Sequence, residues 1–317
     1  MMGFLVFITG VVLVVKGADW LVDGSSSLAR RLGVSDLAIG LTVVAFGTSL
    51  PELTVNIFAV LQNQPEVAIG NITGSNICNI LLILGIASIL CPLRVQRSTV
   101  WKEIPFSLLA QLLLLVAALD VVLDGALGNI LSRTEGIGFL AIFVIFLVYI
   151  AGMAKNLPQV TETSEYKVFT LGKSILFVSL GLAFLIFGGK LVVDGALSIA
   201  EQFNLAKGFI AVTLVAVGTS LPEMATSVVA AYKKKADIAV GNVVGSNIFN
   251  IFFILGVSSV LRPIPVPADM MLSIYVGILA TVILFMTLFT GKRHRIDRWQ
   301  GAVMLGLYAI YLVLQPK

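Results

Sequence analysis

Two glutamates sit in the middle of otherwise apolar sequence. Glu52 and Glu223 each close the same hexapeptide, Gly-Thr-Ser-Leu-Pro-Glu, at Gly47–Glu52 and again 171 residues on at Gly218–Glu223. Thr48 and Ser49, with Thr219 and Ser220, offer hydroxyl oxygens one turn from each carboxylate. Pro51 and Pro222 lack an N–H and crowd the preceding turn, which predicts loosened backbone carbonyls around Ala45–Thr48 and in the second copy. In the next apolar stretch Asn71, Ser75 and Asn79 follow at i, i+4 and i+8, a polar stripe on one helix face, and Asn242, Ser246 and Asn250 repeat it. Every group offered is a hard oxygen. A single histidine, His294, and two cysteines, Cys78 and Cys91, supply no soft or imidazole cluster, so calcium, sodium or magnesium suit these residues better than zinc or copper. Two carboxylates in a dry place match one divalent or two monovalent cations.

The elements that carry these residues are set by composition. Of 317 residues 58% are apolar and 12% charged, with a mean hydropathy of +1.03. Such a chain cannot coat a water-facing surface, which excludes soluble enzymes and nucleic-acid binders and leaves an integral membrane protein. The apolar runs are continuous rather than alternating and about 20 residues long, as spanning helices require. Ten segments are expected: Gly3–Val22, Leu37–Leu61, Val67–Leu90, Ile104–Leu119, Ile137–Ala154, Leu171–Val193, Phe209–Tyr232, Ile238–Leu261, Met270–Phe289 and Trp299–Leu314. Lysine and arginine gather in the loops after odd-numbered segments, among them Lys233–Lys235 and the Lys292–Arg295 cluster. By the positive-inside rule those loops are cytoplasmic and both termini face outward. The net charge of +4 then reflects topology, with membrane lipid as the neighbour and no nucleic acid. Among the acids, only Glu52 and Glu223 fall well inside predicted segments. A charge at bilayer depth costs about 2.5–3.5 kcal/mol on insertion scales, which makes the two glutamates functional candidates.

The 171-residue offset holds without gaps. It carries Gly70-Asn71 to Gly241-Asn242, Gly74-Ser75-Asn76-Ile77 to Gly245-Ser246-Asn247-Ile248, Asn79-Ile80 to Asn250-Ile251 and Asp23-Gly24 to Asp194-Gly195, while the apolar positions between them drift. Each unit holds five segments, so the second copy enters the membrane from the opposite side and the repeat is inverted. Inverted halves place a substrate site near the midplane where interrupted helices meet. The organisation expected is a first half over 1–154, a cytoplasmic linker over 155–172 and a second half over 173–317. Ser25–Ser27 read as polar residues at a helix end, Cys78 as packing and His294 as a solvated loop residue.

The duplicated Gly-Thr-Ser-Leu-Pro-Glu, followed by Gly-Asn-x-x-Gly-Ser-Asn-Ile-x-Asn, resembles the two alpha repeats of the calcium/cation antiporter superfamily, in its sodium/calcium exchanger branch and a small prokaryotic form. The likeness covers almost the whole chain. It implies an all-α membrane fold of ten helices in two inverted five-helix halves, located in the cell membrane, exchanging calcium for sodium. Carried over position by position, Glu52 and Glu223 would be shared ligands of calcium and sodium, joined by Thr48 and Thr219. Ala45 with Ser75, and Ala216 with Ser246, would form flanking sodium sites, with Asn79 and Asn250 in the middle. Potassium-dependent and some prokaryotic relatives carry Asp where this chain has Asn250, so a potassium requirement is not expected. No cofactor, nucleic acid or obligate protein partner is implied; calcium and sodium are the cargo.

Exchange also has a physical rationale independent of the resemblance. An empty cage holding two ionised carboxylates costs several kcal/mol per uncompensated charge to carry through a dehydrated state, so loaded forms switch access and empty ones rarely do. Calcium/proton antiport is the alternative coupling. A cation channel is a further class, disfavoured because channels ring a pore with ligands. An intramembrane protease is disfavoured because no catalytic signature of one is present.

Overall fold

The computed structural model describes residues 2–156, 168–202 and 218–314. Among them the chain is helical throughout, apart from two ribbons of two residues per strand. The helices are α1 (Met2–Leu32), α2 (Asp36–Thr48), α3 (Leu50–Leu61), α4 (Pro65–Leu90), α5 (Thr99–Ala117), α6 (Arg133–Asn156), α7 (Leu171–Gln202), α8 (Leu221–Tyr232), α9 (Ala236–Leu261), α10 (Met271–Thr287) and α11 (Arg298–Leu314). Among the described residues seven helices are long and apolar enough to cross a bilayer, and α2 with α3, bent by 45°, makes an eighth span. The chain is thus a multi-pass all-α membrane protein. Helix α11 is apolar but shorter, and much of the expected segment Phe209–Tyr232 lies outside the described residues.

Several of the expected segments differ from what the structure contains, among them α7, which runs on past Val193 to Gln202. Helix α1 continues ten residues beyond Val22 to Leu32, so Ser25–Ser27 are not at a helix end but buried within the helix. Hydropathy marks where apolar sequence stops, whereas a helix satisfies its own backbone and can continue past that point. Here the Ser27 hydroxyl accepts from the Phe169 amide at 2.8 Å and from Ser174 Oγ at 2.8 Å. The segment Leu37–Leu61 is two helices, broken at Ser49 (φ −84°, ψ 7°). Pro51 sits in the first turn of α3, where its missing N–H is no loss, and could not have continued α2.

Helices α1 and α7 pack antiparallel along their length. Glycines recur every seventh residue on both, Gly3, Gly10, Gly17 and Gly24 against Gly181, Gly188 and Gly195. A Cβ on Gly17 would lie 2.8 Å from the Gly181 carbonyl, and one on Gly181 would lie 2.8 Å from the Gly17 carbonyl. Bare backbone on both helices is what allows this approach.

The two parts of the chain interlock rather than stand side by side. The strand after α4, β1 (Leu93–Arg94), pairs antiparallel with β4 (Arg295–Ile296), which precedes α11. The strand β2 (Ile130–Leu131), which precedes α6, pairs with β3 (Ile264–Pro265), which follows α9. Accordingly α11 packs on the end of α4, and α6 on the end of α9. At the centre α4 and α9 are almost wholly buried, the position their Asn/Ser stripes require. Both helices widen to π-type turns midway, at Cys78–Ile83 and Phe249–Leu255.

Candidate functional site

The break between α2 and α3 places Glu52 in the first turn of α3, and Glu223 occupies the equivalent turn of α8. Helix N-termini favour negative charge. Each carboxylate is 1% exposed. Each is also held by a serine from the opposite copy of the hexapeptide: Ser49 Oγ donates to Glu223 Oε1 at 3.0 Å, and Ser220 Oγ to Glu52 Oε1 at 3.4 Å.

The remaining contacts come in the same reciprocal pairs. Thr48 Oγ1 donates to Asn242 Oδ1 at 3.0 Å, and Thr219 Oγ1 to Asn71 Oδ1 at 3.4 Å. Asn71 Nδ2 donates to the Glu52 carbonyl at 3.2 Å, and Asn242 Nδ2 to the Glu223 carbonyl at 3.3 Å. Ser75 and Ser246 reach Glu52 and Glu223 at 3.5 Å, and Ser75 Oγ lies 3.1 Å from Ser220 Oγ. Asn79 Nδ2 and Asn250 Nδ2 donate to Asn247 Oδ1 and Asn76 Oδ1, both at 2.9 Å. Of the fourteen residues singled out from sequence, twelve therefore make buried side-chain hydrogen bonds, in three sets: one of asparagines where α4 meets α9, one around Glu52 and one around Glu223. The thirteenth, Ala45, is buried, and Ala216 lies outside the described residues. The Ala45 carbonyl is not released by the helix break: it keeps Ser49 N at 3.1 Å.

Four oxygens of these residues are buried without any donor: Glu52 Oε2, Glu223 Oε2, Asn79 Oδ1 and Asn250 Oδ1. Buried polar atoms are nearly always hydrogen-bonded, so each of these acceptors is open to a positively charged partner. Among the described residues no group of three or more His, Cys, Asp or Glu could hold a metal ion, so neutral oxygens must complete any coordination shell beside the two acids. That donor chemistry fits calcium and sodium.

Several contributors escaped the sequence reading. Asn56 Oδ1 accepts from Asn71 Nδ2 at 2.8 Å, and its counterpart Ser227 accepts from Asn242 Nδ2 at 3.0 Å. A polar residue one turn beyond each Glu was the available signal. Glu103 corrects the expectation that two acids alone lie deep in the apolar segments: it is fully buried in α5, hydrogen-bonded by Tyr149 of α6. Its position at a segment edge, beside Lys102, disguised it. The Lys233–Lys235 run is not a free lipid-facing patch either. Lys233 Nζ bridges Asp19 at 2.6 Å and Asp23 at 2.7 Å on α1, and Lys235 is buried, with Asp23 at 3.6 Å.

A multi-pass helical bundle that buries two carboxylates among hydroxyl and amide oxygens fits the class of membrane ion carriers. Residues 2–152 and 173–316 match the family described as sodium/calcium exchanger protein. The chain belongs to the sodium/calcium exchanger family and is a calcium/cation antiporter, not an enzyme. It is 32% identical to "Sodium/calcium exchanger MaX1" of Methanosarcina acetivorans (98% of this chain, 97% of that one) and 36% identical to "Inner membrane protein YrbG" of Escherichia coli (97% and 94%). Among solved structures, the sodium-calcium exchanger NCX_Mj soaked with 10 mM Na+ and no Ca2+ superposes with a TM-score of 0.84 at 34% identity, covering 99% of both chains.

Proposed function

We propose that the protein exchanges calcium for sodium across the cell membrane by alternating access at a midplane cage formed between two inverted five-helix halves, 1–154 and 173–317, joined by a cytoplasmic linker over 155–172, with both termini outside. The observation that carries this reading is the set of four buried, donorless oxygens on Glu52, Glu223, Asn79 and Asn250. Contacts that recur reciprocally under the 171-residue offset, and the antiparallel packing of α1 on α7, support the inverted relation. Glu52 and Glu223 are the shared ligands of both ions, with Thr48 and Thr219. Ser75 with Ala45, and Ser246 with Ala216, serve flanking sodium ions. Asn71 and Asn242, with Ser49 and Ser220, hold the cage in shape.

Cargo neutralises the carboxylates before the cage changes sides, so calcium in one direction requires sodium in the other. If three sodium ions exchange for one calcium, one charge crosses per cycle and the membrane potential contributes about 2.3 kcal/mol per 100 mV. The test is calcium flux into proteoliposomes under imposed sodium, potassium and pH gradients. Sodium-driven uptake is expected. Uptake driven by a pH gradient alone identifies proton antiport instead, and uptake without any opposing gradient identifies a channel.

A further inference from the structure

Where α4 meets α9, four asparagines close a ring of amides. Asn76 Nδ2 donates to the Asn247 backbone carbonyl at 3.4 Å, and Asn247 Nδ2 donates to the Asn76 carbonyl at 3.2 Å. A backbone carbonyl only accepts, so these contacts identify the amide nitrogen of both side chains and leave Oδ1 as the other atom. Asn76 Oδ1 in turn takes Asn250 Nδ2, and Asn247 Oδ1 takes Asn79 Nδ2, each at 2.9 Å. The orientation of the outer pair follows: N–H toward the ring, oxygen away from it. Those two oxygens are buried and have no donor. All four side chains are essentially unexposed.

We infer that Asn76 and Asn247 are positioning residues for ion selection, which engage the N–H groups of Asn250 and Asn79 so that these present only oxygen to the cage. The inference rests on the reading of the cage as the cation site. Its physical content is a restriction on the carboxylates. An amide freed from the ring turns over at little cost and offers Nδ2 as a donor to a carboxylate oxygen that lacks one, Glu52 Oε2 or Glu223 Oε2. That exchange replaces a cation ligand by a positive dipole and satisfies a carboxylate without cargo. By withholding these donors, the ring keeps the carboxylates dependent on ions.

The test is a double-mutant cycle on sodium-driven calcium uptake in proteoliposomes, read as the calcium KM and kcat. Asn76→Leu and Asn250→Leu, near-isosteric and apolar, are each expected to raise the calcium KM about tenfold, the loss of one oxygen contact to an ion. The double variant is expected to be no worse than the poorer single, because Asn76 acts through Asn250. Multiplication of the two effects to about a hundredfold overturns the inference, as does an Asn76→Leu protein that loses only folded yield or kcat at unchanged KM. Should either variant fail to elute as a monodisperse peak, Asn247→Leu with Asn79→Leu makes the same test from the symmetric side. Failure of the underlying reading looks different: wild type without sodium-driven uptake, or Glu52→Gln with undiminished uptake, removes the cage itself, whereas a normal response of both together with a multiplicative cycle removes the ring's role alone.

Discussion

Glu52→Gln takes away one of two negative charges and little else. The amide fills the same volume, its oxygen can still accept from Ser220 Oγ, 3.4 Å away in the native protein, and Glu223 keeps Ser49 at 3.0 Å. The electrostatic change is large because both carboxylates are only 1% exposed. Two unit charges about 4 Å apart interact by about 4 kcal/mol at an effective dielectric constant near 20, and a divalent ion gains twice as much from each carboxylate. Losing even 4 kcal/mol corresponds to roughly a thousandfold in affinity. Calcium bound beside a single carboxylate also leaves one positive charge uncompensated in a dry site, at several kcal/mol. The assay is initial calcium uptake into sodium-loaded proteoliposomes at matched protein content, with a thermal melt of the detergent-solubilised protein alongside. Wild type is expected to gain about 2.7 kcal/mol of stability at calcium a hundred times its Kd; Glu52→Gln is expected to lose that gain, and uptake with it, while still eluting as folded protein. Glu223→Gln should behave alike. Uptake by either variant comparable to wild type refutes the electrostatic reasoning and the cage with it.

Three further perturbations follow from the packing and the charges. Gly17→Leu forces side-chain atoms against the Gly181 carbonyl, 2.8 Å from the first of them, and is expected to cost about 1–3 kcal/mol, seen as a lowered melting midpoint; Gly306→Ala, with nothing within 4 Å, should not lower it. Burial pushes the Lys235 amine below the usual lysine range, against the pull of Asp23 and Asp36. The unfolded chain then holds that proton more tightly, so stability should rise as pH climbs from the lowered value toward about 10.4, and Lys235→Met should flatten the rise; equal slopes in alkaline melt series would contradict this. Asn250→Asp sets an oxygen where Nδ2 now donates to Asn76 at 2.9 Å and adds an acid to the cage, so calcium uptake should change its sodium dependence or become potassium-sensitive, and an unchanged ion profile removes the argument.

Much of this site was legible because membrane helices penalise polar residues so strongly. An Asn, Ser or Glu inside an apolar run needs a partner, and the same residues recurring 171 positions later give the pattern a second, independent witness. That is why twelve of the residues chosen from sequence are found in buried hydrogen-bonded sets around Glu52, around Glu223 and where α4 meets α9. The failures have the same root. Glu103 sits within a turn of Lys102 at a segment edge, where hydropathy reads a loop, yet α5 begins early enough to bury it against Tyr149. Ser25–Ser27 lie past the apolar run of α1, yet the helix carries on and buries all three, with Ser27 hydrogen-bonded to Phe169 and Ser174. Asn56 and Ser227 differ in identity, so the repeat did not flag them.

The residue order alone determined that the chain is a helical membrane protein, that its polar residues are duplicated, and that two acids with hydroxyls and amides are its chemistry, since burial cost and helical spacing act locally. Which residue meets which was decided only by tertiary structure. Ser49 serves Glu223 rather than its own neighbour Glu52, β1 pairs with β4, and α11 packs on α4, because each copy presents faces that the other, running antiparallel to it, can cover. The direction in which the Asn79 and Asn250 amides point is likewise a product of packing: it is set by two backbone carbonyls of the facing helices, which no spacing along one helix could reveal.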